Sequence, residues 1–89
     1  DRATVAGGFA NQATAISDTV AGGAENFALG GFSTISGGHS NTASLGYATI
    51  CGGDANLASG LFSTVAGGSE NIAGGRNSFA AGYKAQATH

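Results

Sequence analysis

The hydrophobic and polar positions of this chain repeat with a period of 15 residues. Each copy opens with a threonine, followed by valine or isoleucine, then by alanine, serine or cysteine, and then by glycine. The threonines are Thr4, Thr19, Thr34, Thr49 and Thr64. A fixed period of this length is typical of a solenoid, and β-branched residues that end at glycine predict a short strand followed by a turn. The predicted turn glycines are Gly7, Gly22, Gly37, Gly52, Gly67 and Gly82.

A helical alternative is excluded by the glycine pairs and by the apolar period. Two glycines in a helix interior would cost roughly 2 kcal/mol per copy, at about 1 kcal/mol each. The apolar residues also lack the 3.6-residue spacing of an amphipathic helix. The pattern therefore predicts an all-β chain.

Asparagine recurs in the second half of each copy, with alanine two residues later. If this segment is extended, asparagine and alanine point to one side and the residue between them points to the other. Stacked coils would lie about 4.8 Å apart and would be joined by parallel backbone hydrogen bonds. The asparagines would then form a ladder whose amides bond from coil to coil: Asn11, Asn26, Asn41, Asn56 and Asn71.

The last copy is one residue shorter than the others. Ser78 to Gly82 align with Ser63 to Gly67, the second glycine of the pair is missing, and Ala85 stands where asparagine is expected. We interpret the extra glycine and the asparagine as parts of one turn, which predicts a tighter turn in the last coil.

Composition limits the size of the core and the class of partner. The chain has 89 residues and is interpreted as a single repeat domain spanning residues 1–89, with 42% hydrophobic residues and no tryptophan or methionine. So small and thin a core predicts that the coil needs a partner for stability. Three basic residues and a net charge of -2 do not favour nucleic-acid binding.

Candidate chemical groups are few, and they do not form a catalytic set. Glu25 and Glu70 share a column, but three coils would separate them by about 14 Å, too far for a catalytic carboxylate pair. His39 and Asp54 share a column in adjacent coils and could pair, or three His39 side chains could hold an ion in a trimer. A solvated turn is the preferred interpretation of that column. Cys51 lies in a column of alanine and serine, which favours a small buried residue over a reactive thiol. We therefore predict no enzyme activity, cofactor, metal or catalytic residue.

The last copy also carries a family resemblance. Gly75-Arg76-Asn77-Ser78-Phe79-Ala80-Ala81-Gly82-Tyr83-Lys84-Ala85-Gln86-Ala87 resembles the 14-residue head repeat of YadA-like trimeric autotransporter adhesins, and the five preceding copies resemble that repeat lengthened by one glycine. The resemblance implies a left-handed parallel β-roll of about six 15-residue coils, assembled as a homotrimer on the bacterial cell surface. The family's stalk and outer-membrane anchor would lie beyond His89, so no membrane contact is expected within this segment.

Two apolar columns are candidates for the seam between the three subunits. They contain Phe27, Leu57 and Ile72, and Phe32, Tyr47 and Phe62. The resemblance implies a fragment of an adhesin head that attaches to host cells or extracellular matrix, as in bacterial virulence. Two alternatives stay open: a structural spacer in a surface or phage tail fibre, and, more distantly, an ice-binding solenoid suggested by the threonine column.

Overall fold

A computed structural model describes residues 3–88 and shows an all-β solenoid with no helix in that range. Its twelve strands, numbered in chain order, form two six-stranded parallel sheets. The first sheet contains β1 (Thr4–Val5), β3 (Thr19–Val20), β5 (Thr34–Ile35), β7 (Thr49–Ile50), β9 (Thr64–Ser69) and β11 (Phe79–Tyr83). The second sheet contains β2 (Gln12–Ala13), β4 (Phe27–Ala28), β6 (Thr42–Ala43), β8 (Leu57–Ala58), β10 (Ile72–Ala73) and β12 (Gln86–Ala87).

Strand register follows the 15-residue period, with like residues opposite each other in neighbouring coils. Thr4 pairs with Thr19 in the first sheet, and Ala13 pairs with Ala28 in the second. Six coils at about 4.8 Å each account for the largest dimension of the molecule, 29 Å. The predicted parallel β-solenoid of about six coils is thus confirmed, and no segment of residues 3–88 forms a helix suited to crossing a membrane.

The core is a narrow column between the two sheets, built from small and β-branched side chains. Its largest members are Ile35 and Ile50, which are fully buried. The threonine before each of them is only half-buried, because successive side chains of a strand point to opposite faces. The same alternation turns the following residue outward. Cys51 is therefore exposed, and the prediction that it is a small buried residue was wrong.

The shorter last coil loses a different residue from the one predicted. β11 pairs with β9 so that Gly82 lies opposite Gly68 and Ala81 lies opposite Gly67, with a register shift after Ala80. The residue without a counterpart is Ala66, which forms a bulge. The prediction that the second glycine is missing was wrong, because backbone pairing keeps both glycine positions of the turn and omits the residue before them.

Candidate functional site: the two turns of each coil

The turn after each strand of the first sheet depends on the second glycine of the pair. Gly38 has φ of 96°, and a Cβ atom there would overlap the carbonyl oxygen of Gly53 in the next coil. Gly37 does not have a positive φ, and a Cβ atom on it would enter open space. The same division holds at Gly22 and Gly23. The turn therefore requires glycine at the second position for both conformation and space.

The asparagine column lies inside this turn and joins three coils at each step. Asn41 is fully buried. Its Nδ2 donates to the carbonyl oxygens of Gly37 and Gly53, both at 3.1 Å. Its Oδ1 accepts the backbone N–H of Asn56 at 3.0 Å, and its own N–H donates to Oδ1 of Asn26. Each amide thus bonds an N–H of the next coil and a carbonyl of its own turn, and it adds a second donor to a glycine carbonyl of the next coil that already accepts a backbone N–H.

Asp18 is a buried side chain that sequence reasoning missed. It lies in an inward column of small residues and is fully buried. Its Oδ1 accepts the N–H of Gly31 and both the N–H and the hydroxyl of Ser33, and its Oδ2 accepts the N–H of Ala15. The available signal was an aspartate just after a turn, where its oxygens can accept backbone N–H groups. This carboxylate organises the second turn of the coil.

The first turn also presents the charged side chains, which we call the charged edge: Glu25, His39, Asp54, Glu70 and Lys84. His39 Nδ1 lies 2.9 Å from Asp54 Oδ1, and Lys84 Nζ lies 3.8 Å from Glu70 Oε1. All four side chains are at least half exposed, so these pairs contribute little stability. Within residues 3–88, no three side chains are placed to hold a metal ion.

The opposite turn carries three stacked rings, which we call the aromatic edge: Phe32, Tyr47 and Phe62. The ring centroids of Phe32 and Tyr47 lie 5.2 Å apart, and those of Tyr47 and Phe62 lie 4.9 Å apart, with nearly parallel planes. About half of each side chain is exposed. Each residue has a left-handed backbone, with φ between 54° and 59°. That conformation costs roughly 1–2 kcal/mol in a residue other than glycine, so the turn holds these rings at a conformational cost.

The remaining seam candidates lie on a different surface. Phe27, Leu57 and Ile72 point outward from the second sheet and are partly buried. Sequence reasoning missed further exposed apolar residues in and beside the aromatic turns, namely Ile16, Leu29 and Leu45, whose exposed fractions are 57%, 40% and 47%. The first turn thus carries most of the charged side chains together with the exposed Phe9 and Tyr83, and the second turn carries the stacked rings.

Comparison with known proteins gives one match. Residues 3–14 match the family model described as the ubiquitous surface protein adhesin repeat. No curated protein and no solved structure matches the chain. The matched segment is one copy of a unit whose later copies pair with it in register. The match confirms the predicted resemblance to the head repeats of trimeric autotransporter adhesins.

Proposed function

We propose that residues 1–89 form a single repeat domain within the head of a non-enzymatic bacterial surface adhesin, which attaches to host cells or extracellular matrix. The observation that carries this proposal is the adhesin-repeat match at residues 3–14, in a solenoid whose coils stack in register. A stiff surface that presents the same columns at each coil suits multivalent contact.

The proposal includes a homotrimer of left-handed β-rolls. The stacked rings on one turn and most of the charged side chains on the other support an arrangement in which the aromatic edge, with Phe27, Leu57 and Ile72, packs between subunits. The charged edge then faces outward. Burial of half-exposed rings would supply stability that a core of alanine, valine and isoleucine lacks.

Replacing Tyr47 with asparagine tests this seam. Asparagine tolerates a left-handed backbone, and Asn77 occupies the same column with φ of 59°, so the turn is retained while a ring is removed. At about 2 kcal/mol per buried ring, the trimer would lose about 6 kcal/mol and dissociate at micromolar concentration. Light scattering measures the change in mass.

Tyr83→Asn is the matched control for that variant. Tyr83 is 68% exposed and adjoins Lys84 on the charged edge, so its loss should leave the mass unchanged. An equal effect of both variants would contradict the proposed seam.

Binding to matrix proteins tests the function itself. We expect the assembled chain to bind at least one of immobilised collagen, fibronectin and laminin, or the surface of cultured cells. Tyr47→Asn should bind more weakly, because a monomer loses multivalency. An intact trimer that binds none of these surfaces would overturn the adhesive role and favour the structural spacer.

A further inference from the structure

We propose that the hydroxyl of Ser40 is an acyl acceptor, activated by His39 and Asp54, which takes the acyl group of an activated ester in one covalent step. The sequence predicts that His39 and Asp54 share a column, and the structure adds Ser40 to that pair. This reactivity does not rest on the proposed adhesive function, because it belongs to one turn of a single chain.

The three side chains contact one another in the order hydroxyl, imidazole and carboxylate. His39 Nδ1 lies 2.9 Å from Asp54 Oδ1, and Ser40 Oγ lies 3.5 Å from His39 Nε2. When the Nδ1–H group donates to the carboxylate, Nε2 keeps the lone pair that can accept the Ser40 proton. Contacts between a nucleophile and its base are often this long before a substrate binds. The same order of groups activates serine in nucleophilic catalysis.

Pairing between coils holds the backbone of this turn in place. His39 pairs with Asp54 in a parallel bridge, and the N–H of His39 donates to the carbonyl of Gly53 at 2.9 Å. Ser40 has a left-handed backbone with φ of 58°, and its N–H donates to the carbonyl of Ala24 at 3.0 Å. Because both backbones are bonded to neighbouring coils, the three side chains start from positions within reach of one another.

Glu25 places a second carboxylate beside the imidazole. Its Oε1 lies 3.6 Å from His39 Nε2, which is too long for a hydrogen bond, so Nε2 is left to the Ser40 hydroxyl. Both carboxylates favour the imidazolium that forms when the ring takes the Ser40 proton. The side chains of His39, Glu25 and Asp54 are all at least half exposed. Solvent therefore weakens this effect, and we expect a smaller acceleration than in an enclosed active site.

The proposed step forms one bond and breaks one. Ser40 Oγ attacks the carbonyl carbon of the ester while His39 takes the hydroxyl proton, and the bond to the leaving oxygen then breaks as that oxygen receives the proton. The backbone N–H groups of residues 39–41 all donate to neighbouring coils, so none of the three is free to stabilise an oxyanion. We therefore expect transfer to Ser40 followed by slow release, which is a covalent modification rather than enzymatic turnover.

Acetylation of the 89-residue chain by p-nitrophenyl acetate, located residue by residue with tandem mass spectrometry, tests the proposal. Ser17 is an internal control, because it is half-buried like Ser40 and has the same left-handed backbone, with φ of 57°, but it lies on the opposite turn, away from His39. We expect Ser40 to be acetylated at least about tenfold faster than Ser17, which is less than the roughly hundredfold effect of a general base in an enzyme. Equal rates at the two serines would overturn the inference.

Variants of the two neighbouring side chains separate activation from simple accessibility. His39→Gln should lower the rate at Ser40 to that of Ser17, because an amide cannot take the hydroxyl proton. Asp54→Asn should also lower it, and Asp54→Glu should restore part of it, because the carboxylate acts through the imidazole as a positioning group. An unchanged rate at Ser40 in folded His39→Gln would contradict the proposal, and an unchanged rate in Asp54→Asn would remove Asp54 from it.

Glu70→Gln is the matched control for these variants. Glu70 lies on the same charged edge and is half exposed, but its carboxylate contacts Lys84 instead of His39. Its replacement should leave the rate at Ser40 unchanged, and circular dichroism establishes that every variant folds. If Glu70→Gln slowed acetylation as much as Asp54→Asn, the effect would come from the overall charge of the edge, and the assigned role of Asp54 would be wrong.

Discussion

Replacing Gly38 with alanine is expected to destabilise the solenoid by at least about 4 kcal/mol, a loss comparable to the whole stability of a small domain. Alanine at φ of 96° is strained, and its methyl group would overlap the backbone of Gly53 in the next coil. That backbone is itself hydrogen-bonded to its neighbouring coils, so it cannot move aside without breaking those hydrogen bonds. Urea unfolding followed by circular dichroism measures the free energy of unfolding.

Gly37→Ala provides a matched control one residue away. Its methyl group would enter open space, and its backbone does not have the restricted φ, so the expected change is within about 1 kcal/mol. If the two variants were equally stable, the assignment of the demanding position to the second glycine would be wrong.

Replacing Asn41 with alanine is expected to cost about 3–5 kcal/mol. The change leaves the N–H of Asn56 without its acceptor and removes the side-chain donor from the carbonyl of Gly37, whereas the carbonyl of Gly53 keeps a backbone donor. Each buried group left without a partner costs about 1–3 kcal/mol. The same unfolding measurement applies, with each variant compared at one chain concentration because assembly would add to stability.

Thr42→Ala is the control for the asparagine ladder. Thr42 is adjacent in sequence and points outward from the second sheet, where it is half-buried. Its loss should cost no more than about 1 kcal/mol. An Asn41→Ala variant that unfolds at the same urea concentration as Thr42→Ala would show that the ladder is not a major source of stability.

The coil architecture could be predicted from sequence because parallel stacking places like residues above one another. A period of 15 residues, strands before glycine, and asparagine at a constant position together leave few alternatives to a solenoid. The pairing of Thr4 with Thr19 and of Ala13 with Ala28 follows that period directly.

Details within the coil were harder to predict from the sequence, because several depend on backbone dihedral angles that residue identity alone does not determine. Both glycines of a pair look equivalent in sequence, yet at Gly22–Gly23 and Gly37–Gly38 only the second has the restricted φ. The shortened coil aligns equally well with the gap at either position, and pairing of Gly82 with Gly68 decides it. The small residues in the column of Cys51 predict burial, but strand alternation turns this side chain outward.

The sequence predicts two apolar columns as the candidate seam between subunits, but it does not indicate which face of the coil points to the trimer axis. Stacking of Phe32, Tyr47 and Phe62 depends on a left-handed backbone, which favours glycine and is not expected for aromatic residues. The buried role of Asp18 depends on N–H groups contributed by the next coil. The aromatic stack has no signal in one copy of the repeat, and an aspartate after a turn indicates bonding to backbone N–H groups without showing that they come from the next coil.

The solution mass of the 89-residue chain, measured by light scattering together with far-ultraviolet circular dichroism, tests the proposed trimeric head most directly. The account predicts a β-rich particle of three times the 8.5 kDa of one chain as its smallest species. A folded, β-rich species of 8.5 kDa would contradict it, because one coil stack would then be stable without the aromatic edge being covered.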